Sequence, residues 1–397
     1  MLVHPGRVDA VLDDEDGVVV DGVTPGARVR VDAHVELRGV AWVCSGEYVA
    51  DDAGVVDTAR DPSTGGSYTG VDPFGLYWSA DATDRAERGS SDPMRVRLEV
   101  TAGGKTGHAA YERGWTRAGV TVSSVGCDGL VGISYQPEGT EMPAVVVVGG
   151  SEGGIPAPSP AALLAGHGIA VLALAYWRAP GLPDVMADVD VELVGRACDW
   201  LRDRPGVRDA RPAVMGISRG GELALLAASL MPERVGSALS TVGSAVSWGA
   251  LGTGDDNDVC WRFGGEPVPQ VWEYADDPDR GLRDAETVAA AEIPVERIDG
   301  RVLLLSAEDD QMWRSTMLSE YAVQRAQRLG IADHVEHVSY PDAGHACCTP
   351  PGFAIQAEIV HSLDGAAYSM GGSRTGNQAA RLDSWRRTLE FLSAPAW

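Results

Sequence analysis

One pentapeptide constrains this chain more than any other feature: Gly216-Ile217-Ser218-Arg219-Gly220. A G-x-S-x-G match is cheap in a chain with 49 glycines, so its setting decides its meaning. Ala213-Val214-Met215 reads as a short strand leading in, and Glu222 to Leu230 reads as a helix leading out. A strand that breaks sharply into a helix at a serine needs small flanking residues, because a side chain at 216 or 220 would strike the neighbouring strand or helix. Such a turn lifts the hydroxyl over the carboxyl edge of a sheet, where the helix N-terminus favours a developing oxyanion. Ser218 is therefore read as a nucleophile rather than as an ordinary capping serine.

The texture on either side of this turn sets the fold class. Over the first part of the chain, Val18-Val19-Val20, Arg28 to Ala33 and Met94 to Val100 read as short strands. Turn signals recur at Thr24-Pro25-Gly26, Asp51 to Gly54, Asp61 to Gly66 and Asp72 to Gly75. Short strands at this spacing predict an all-β sandwich, assigned to residues 1–117. From about Val120 the period changes. Apolar runs at 145–148, 169–174, 213–215, 301–305 and 335–340 alternate with helical stretches at 160–166, 191–201, 222–230, 317–329 and 379–392. Buried strands alternating with helices predict an α/β domain with a doubly wound, mostly parallel sheet over 118–397. The alternation lapses around 243–294, a Gly-, Asp- and Trp-rich insertion that reads either as a lid or pocket wall or as a packed surface excursion.

A serine hydroxyl needs a base, and the base needs an orienting acid. In this architecture they follow in the order Ser, acid, His. The strand ending in Leu303-Leu304-Leu305 runs into Ser306-Ala307-Glu308-Asp309-Asp310, which makes Asp310 the expected acid and Asp309 its rival. His345, in the turn Tyr340-Pro341-Asp342-Ala343-Gly344-His345, is the expected base. The other seven histidines, at 4, 34, 108, 167, 334, 337 and 361, lack that setting and read as surface or packed residues. Oxyanion donors are expected from the backbone N–H of Arg219 and from the loop Gly149-Gly150-Ser151-Glu152-Gly153-Gly154, through the N–H of Ser151 or Glu152. That loop lacks the lysine of a phosphate-binding P-loop and the spacing of a dinucleotide site.

Composition removes several classes. Fifty-seven acidic residues against 32 basic give a net charge of −25, a field that repels nucleic acid and anionic lipid. Lys105 is the one lysine, a bias that suits either a high-salt cytoplasm or a GC-rich genome. No apolar run reaches the roughly 18–20 residues of a membrane helix, and no secretory or peroxisomal signal stands at either end, so a cytoplasmic protein is expected. The six cysteines form no C-x-x-C pair or zinc-ligand spacing and are expected as reduced thiols, with adjacent Cys347 and Cys348 poorly placed to bridge. No metal or cofactor is expected. The acidic runs Asp13-Asp14-Glu15-Asp16 and Asp255-Asp256 read as solvated turns.

Taken in order, several segments resemble the acyl-CoA thioesterase / bile acid-CoA:amino acid N-acyltransferase family. They are Arg60-Asp61, Gly66-Ser67-Tyr68-Thr69-Gly70-Val71-Asp72-Pro73-Phe74-Gly75-Leu76-Tyr77-Trp78-Ser79, Gly149 to Gly154, Val171 to Tyr176, Gly216 to Glu222, Ala307 to Trp313, and Gly371-Gly372 through Asp383-Ser384-Trp385. The resemblance implies an immunoglobulin-like sandwich followed by an α/β-hydrolase domain. It further implies acyl transfer from a thioester through a nucleophile–His–Asp triad, which falls on Ser218, His345 and Asp310. Members that resemble amidating enzymes carry cysteine at the elbow and hydrolases carry serine, so Ser218 tilts the expectation toward a serine hydrolase of acyl-CoA-type thioesters. An amino acid N-acyltransferase, or an esterase or amide hydrolase of specialised metabolism, is the alternative. The expected partner is a small-molecule acyl thioester or ester. Arg219 stands where lysine is usual, and Arg113, Arg117, Arg178 or Arg262 are the candidates to offset the acidic field toward polyanionic coenzyme A.

Overall fold

The computed structural model describes residues 1–394 except 8, 38, 84–92, 254–257, 273–276, 278, 362 and 364. It divides into two compact units, one of Met1–Ala118 with Pro350–Gln356, the other of Gly119–Thr349 with Ala357–Trp397.

The first unit is built from strands whose side chains alternate with period two. Along Arg28–Leu37, Val29, Val31, Ala33 and Val35 are buried while Arg28, Arg30 and His34 face outward. Met94–Ala102 repeats the pattern with Met94, Val96, Leu98, Val100 and Ala102 inward. The antiparallel register places Val31 opposite Val100 and Ala33 opposite Leu98, so one face forms a continuous apolar layer. Each such side chain taken out of water contributes on the order of 1.5–3 kcal/mol. The main sheet runs in the order Gly65–Gly66, Val40–Val49, Arg28–Leu37, Met94–Ala102, Lys105–Arg113, and a second sheet joins Leu2–His4, Val19–Asp21 and Val56–Asp57. Pro350–Gln356 closes onto this unit. Phe353 meets Trp115 with ring centroids 5.5 Å apart, and the Ile355 N–H donates to the Trp78 carbonyl at 3.2 Å.

The second unit carries an eight-stranded sheet in the order Val120–Cys127, Leu130–Pro137, Ala170–Ala175, Ala144–Val148, Ala213–Ile217, Ser237–Thr241, Val302–Ala307, Val335–Tyr340. The first two strands form an antiparallel hairpin, and the last six are mutually parallel. Ala170–Ala175 and Val302–Ala307 are buried along their whole length, as strands covered on both faces must be. Helices Pro158–Gly166, Glu192–Arg202, Arg219–Leu230, Ser315–Leu329 and Arg374–Ser393 alternate with these strands along the chain. This is the α/β-hydrolase fold, and it follows a β-rich domain. Because the strands run parallel, the loops after 148, 217, 241, 307 and 340 all leave the same edge of the sheet. No helix among the described residues is long and apolar enough to cross a membrane.

Candidate active site

Ser218 ends the strand Ala213–Ile217 and precedes the helix Arg219–Leu230 with φ 55° and ψ −124°, a conformation L-residues adopt only under constraint. The two flanking glycines account for it. A Cβ at Gly216 would sit 1.8 Å from the Gly220 carbonyl oxygen, and one at Gly220 would sit 2.1 Å from the Gly149 carbonyl oxygen. The turn is pinned from the next strand, where the Ser218 N–H donates to the Thr241 carbonyl at 2.9 Å and the Thr241 hydroxyl to the Gly216 carbonyl at 3.0 Å. Arg219 is the first helical residue, so its N–H belongs to the turn whose donors have no acceptor within the helix.

Asp310 follows the strand Val302–Ala307 and His345 follows Val335–Tyr340. The Nδ1 of His345 lies 2.9 Å from Oδ2 and 3.0 Å from Oδ1 of Asp310, and both residues are buried. With Nδ1–H given to the carboxylate, a neutral imidazole keeps its lone pair on Nε2. Oδ1 also accepts the N–H groups of Met312 at 3.0 Å and Trp313 at 3.3 Å. Asp309 faces solvent, where it accepts from the Gly372 N–H at 2.8 Å and from Gln311. The His345 backbone is held by its N–H to the Met370 carbonyl at 2.7 Å, and that of Gly344 by its N–H to the Asn377 amide oxygen at 2.9 Å. Ser218, Asp310 and His345 thus share one sheet edge. A hydrogen bond joins the last two, and among the described residues none joins His345 to Ser218.

The glycine-rich loop lies against the elbow, since a Cβ at Gly150 would come 3.0 Å from the Ser218 Cβ. Its carbonyls are turned inward by Tyr176, whose hydroxyl lies 3.1 Å from the Gly149 oxygen and 3.0 Å from that of Gly150. Glu152 uses its carboxylate to accept the Gly150 N–H at 3.0 Å, which commits that amide within the loop. The Ser151 hydroxyl meets Nε2 of His361 at 2.8 Å. Because Nδ1 of that ring accepts the Leu363 N–H at 3.2 Å, Nε2 carries the proton and Ser151 accepts it. From sequence alone His361 reads as a surface or packed residue. Its link to residue 151 spans 210 positions and leaves no mark in its own neighbourhood of the sequence.

Asp13 and Asp14 are buried, and the Asp13–Asp16 run is no solvated turn. Asp16 accepts from Arg113 at 2.7 Å, Asp14 pairs with Arg117, and Arg113 also donates to the Val11 and Asp14 carbonyls at 2.9 and 2.6 Å. Arg113, only 1% exposed, is therefore structural and does not offset the acidic field toward a ligand. Arg262 is likewise tied to Asp188, at 2.5 Å. The exposed Arg178 donates to the Glu152 carbonyl at 3.5 Å. Asp255-Asp256 lies outside the described residues. The six cysteines are free thiols, with the sulfurs of Cys347 and Cys348 3.1 Å apart, and the described residues hold no cluster of metal-ligating side chains.

Comparisons with known proteins place the chain in a family. Residues 13–126 match the acyl-CoA thioester hydrolase/BAAT N-terminal region, and residues 189–395 match the BAAT / acyl-CoA thioester hydrolase C-terminal domain. The mitochondrial acyl-coenzyme A thioesterase 2 of Rattus norvegicus is 31% identical over 99% of this chain and 88% of its own length. Acyl-coenzyme A thioesterase 1 of Homo sapiens is 30% identical over 96% of this chain and 93% of its own. Among solved structures, a dienelactone hydrolase-like promiscuous phosphotriesterase from metagenomic libraries matches with a TM-score of 0.45 at 16% identity, covering 70% of this chain and 98% of that one. With both regions matched in order and near-complete coverage at about 30% identity, the chain belongs to the BAAT / acyl-CoA thioester hydrolase family.

Proposed function

We propose that this protein hydrolyses acyl-CoA-type thioesters through a covalent acyl-serine. Nε2 of His345 takes the proton of the Ser218 hydroxyl as Oγ bonds to the thioester carbonyl carbon. The resulting oxyanion is stabilised by the Arg219 N–H and by an N–H of the 149–154 loop, that of Ser151 or Glu152. The C–S bond breaks, and the departing thiolate takes the proton from the His345 imidazolium. Water, deprotonated by the same nitrogen, then attacks the acyl-serine and releases the carboxylic acid. Asp310 keeps the proton on Nδ1 and stabilises the imidazolium.

The observation that carries this reading is the buried His345–Asp310 pair at the sheet edge that also bears the strained serine. The names of the relatives support the thioester as substrate class, and serine at the elbow favours water as the acceptor. Intact mass after incubation with acyl-CoAs of several chain lengths tests it. An acyl adduct on the native chain and none on Ser218→Ala is expected, with free coenzyme A released. An adduct that survives Ser218→Ala would overturn the nucleophile. N-acyl product on adding glycine or taurine would make the protein an acyltransferase, and turnover of oxygen esters without acyl-CoA would make it an esterase.

A further inference from the structure

Directly beneath the nucleophile lies a buried ion pair that the chemistry above does not use. Arg219 and Glu222 occupy the first turn of the elbow helix, 4% and 0% exposed, with Nη1 of the arginine 3.2 Å from Oε2 of the glutamate. Removing two charges from water is costly, so an arrangement of this kind persists where the pair's remaining donors and acceptors are engaged. Here the 243–294 insertion engages most of them, although Arg219 Nε and Glu222 Oε2 make no hydrogen bond among the described residues. The Trp248 N–H donates to Glu222 Oε1 at 2.8 Å, and the Trp248 carbonyl accepts from Arg219 Nη2 at 3.0 Å, so the two charges bracket one residue's backbone. Arg219 Nη2 also reaches the Gly249 carbonyl at 3.0 Å and the Cys260 sulfur at 3.1 Å. The Trp261 indole N–H donates to Glu222 Oε1 at 2.5 Å, and the Arg219 guanidinium lies 5.5 Å from that ring's centre.

Both tryptophans pass the constraint onward. Trp261 packs on Tyr176 with ring centroids 5.8 Å apart, and Tyr176 holds the Gly149 and Gly150 carbonyls of the oxyanion loop. Trp248 packs on Trp313 at 6.3 Å, and the Trp313 N–H donates to Asp310.

We propose that Arg219 and Glu222 are positioning residues that clamp the Trp248 and Trp261 stretches of the insertion to the nucleophile helix, making this part of the insertion a fixed wall that sets the fit of the acyl group. The assignment to the acyl group rests on the proposed thioester chemistry; the clamp itself does not. The wall is fixed because its backbone is bonded to charges that have no solvent to turn to.

The test compares Arg219→Met, Glu222→Gln and Arg219→Lys in the full chain. Hydrogen exchange at 246–251 and 258–263 is expected to rise about tenfold or more in the first two variants while 213–217 and 223–230 keep their protection. With octanoyl-, dodecanoyl- and palmitoyl-CoA, KM is expected to rise about tenfold and the chain-length preference to flatten, with kcat changed less. Arg219→Lys, which keeps the charge, is expected to recover most of both effects. Should the first two variants fail to fold, Trp261→Phe, which keeps the ring and removes the indole N–H given to Glu222, reads the same quantities at 258–263 and in KM at smaller amplitude. Exchange rising evenly through the whole unit, or KM and chain preference unchanged, overturns the proposal. A native chain that turns over no acyl-CoA defeats the proposed function instead, and the exchange arm still decides the clamp.

Discussion

Each unit buries an arginine–carboxylate cluster, and the two clusters push their carboxylates in opposite directions. In the first unit Asp14 is desolvated, which alone would raise its pKa. The Arg117 bond, the Val11 N–H at 2.8 Å and the charges of Arg117 and Arg113 together outweigh that and lower it. In the second unit burial of Glu222 is complete. It outweighs the single guanidinium of Arg219 and the N–H groups of Trp248 and Trp261, and the carboxyl is pushed up to about 7. The sign of a buried carboxylate's shift is thus set by how many cations face it against how much water it has lost. One cluster holds its charge firmly; the other sits near the point of giving it up.

That contrast is open to direct attack. Arg113→Met should produce the largest effect, a loss of about 3–4 kcal/mol, because the buried Asp14 carbonyl loses its donor, the Val11 carbonyl loses one of two and half-buried Asp16 loses its guanidinium. Arg219→Met should cost less when measured at pH 6, because Glu222 escapes its uncompensated charge by taking a proton. Urea denaturation of both variants with exchange mapping of each unit checks the order, and equal losses would erase the distinction. A second effect is smaller and pH-dependent. Because the folded pKa of Glu222 lies above the ordinary 4.5 of a glutamate, its favourable contribution is complete below pH 4.5 and is lost as pH rises through about 7. Relative to Glu222→Gln, the native chain should therefore lose up to about 3 kcal/mol across that window, read from paired denaturation curves at pH 4.5 and 7.5. A constant difference between the two proteins would place the carboxyl's titration elsewhere.

These clusters also mark where reading the sequence stops. Local signals carried the strand alternation of 28–37, the buried runs of the parallel sheet, the serine turn and the loops bearing Asp310 and His345, because each is encoded within a few neighbouring positions. Nothing local marks the strands of the hairpin Val120–Cys127/Leu130–Pro137, because its outer strand is exposed at almost every position and so lacks alternation. Its turn signal, Asp128-Gly129 with φ of 53° and 78°, was nevertheless present. Asp13–Asp16 reads as solvated because the arginine that pairs with Asp16 stands 97 positions away. The Trp248 and Trp261 bonds to Glu222 span 26 and 39 positions, so nothing near the G-x-S-x-G turn announces them. Charge in a sequence has no address until the fold supplies its partner.

Trp313→Phe offers the finest probe of the second unit. The indole N–H donates at 2.7 Å to the carbonyl of Val242, a β-branched residue held at φ 43° immediately after the strand that pins Ser218. On the other side the Trp313 backbone donates to Asp310. Phenylalanine keeps the ring beside Trp248 and removes one hydrogen bond, which costs about 1 kcal/mol and leaves the Val242 strain less well opposed. A fall in kcat of about tenfold or less is expected with KM little changed, because the disturbance falls on the Asp310 loop and not on the Trp248 and Trp261 stretches. The reverse pattern, KM rising while kcat holds, would mean that Trp313 acts through Trp248 and that the wall extends across to the acid loop.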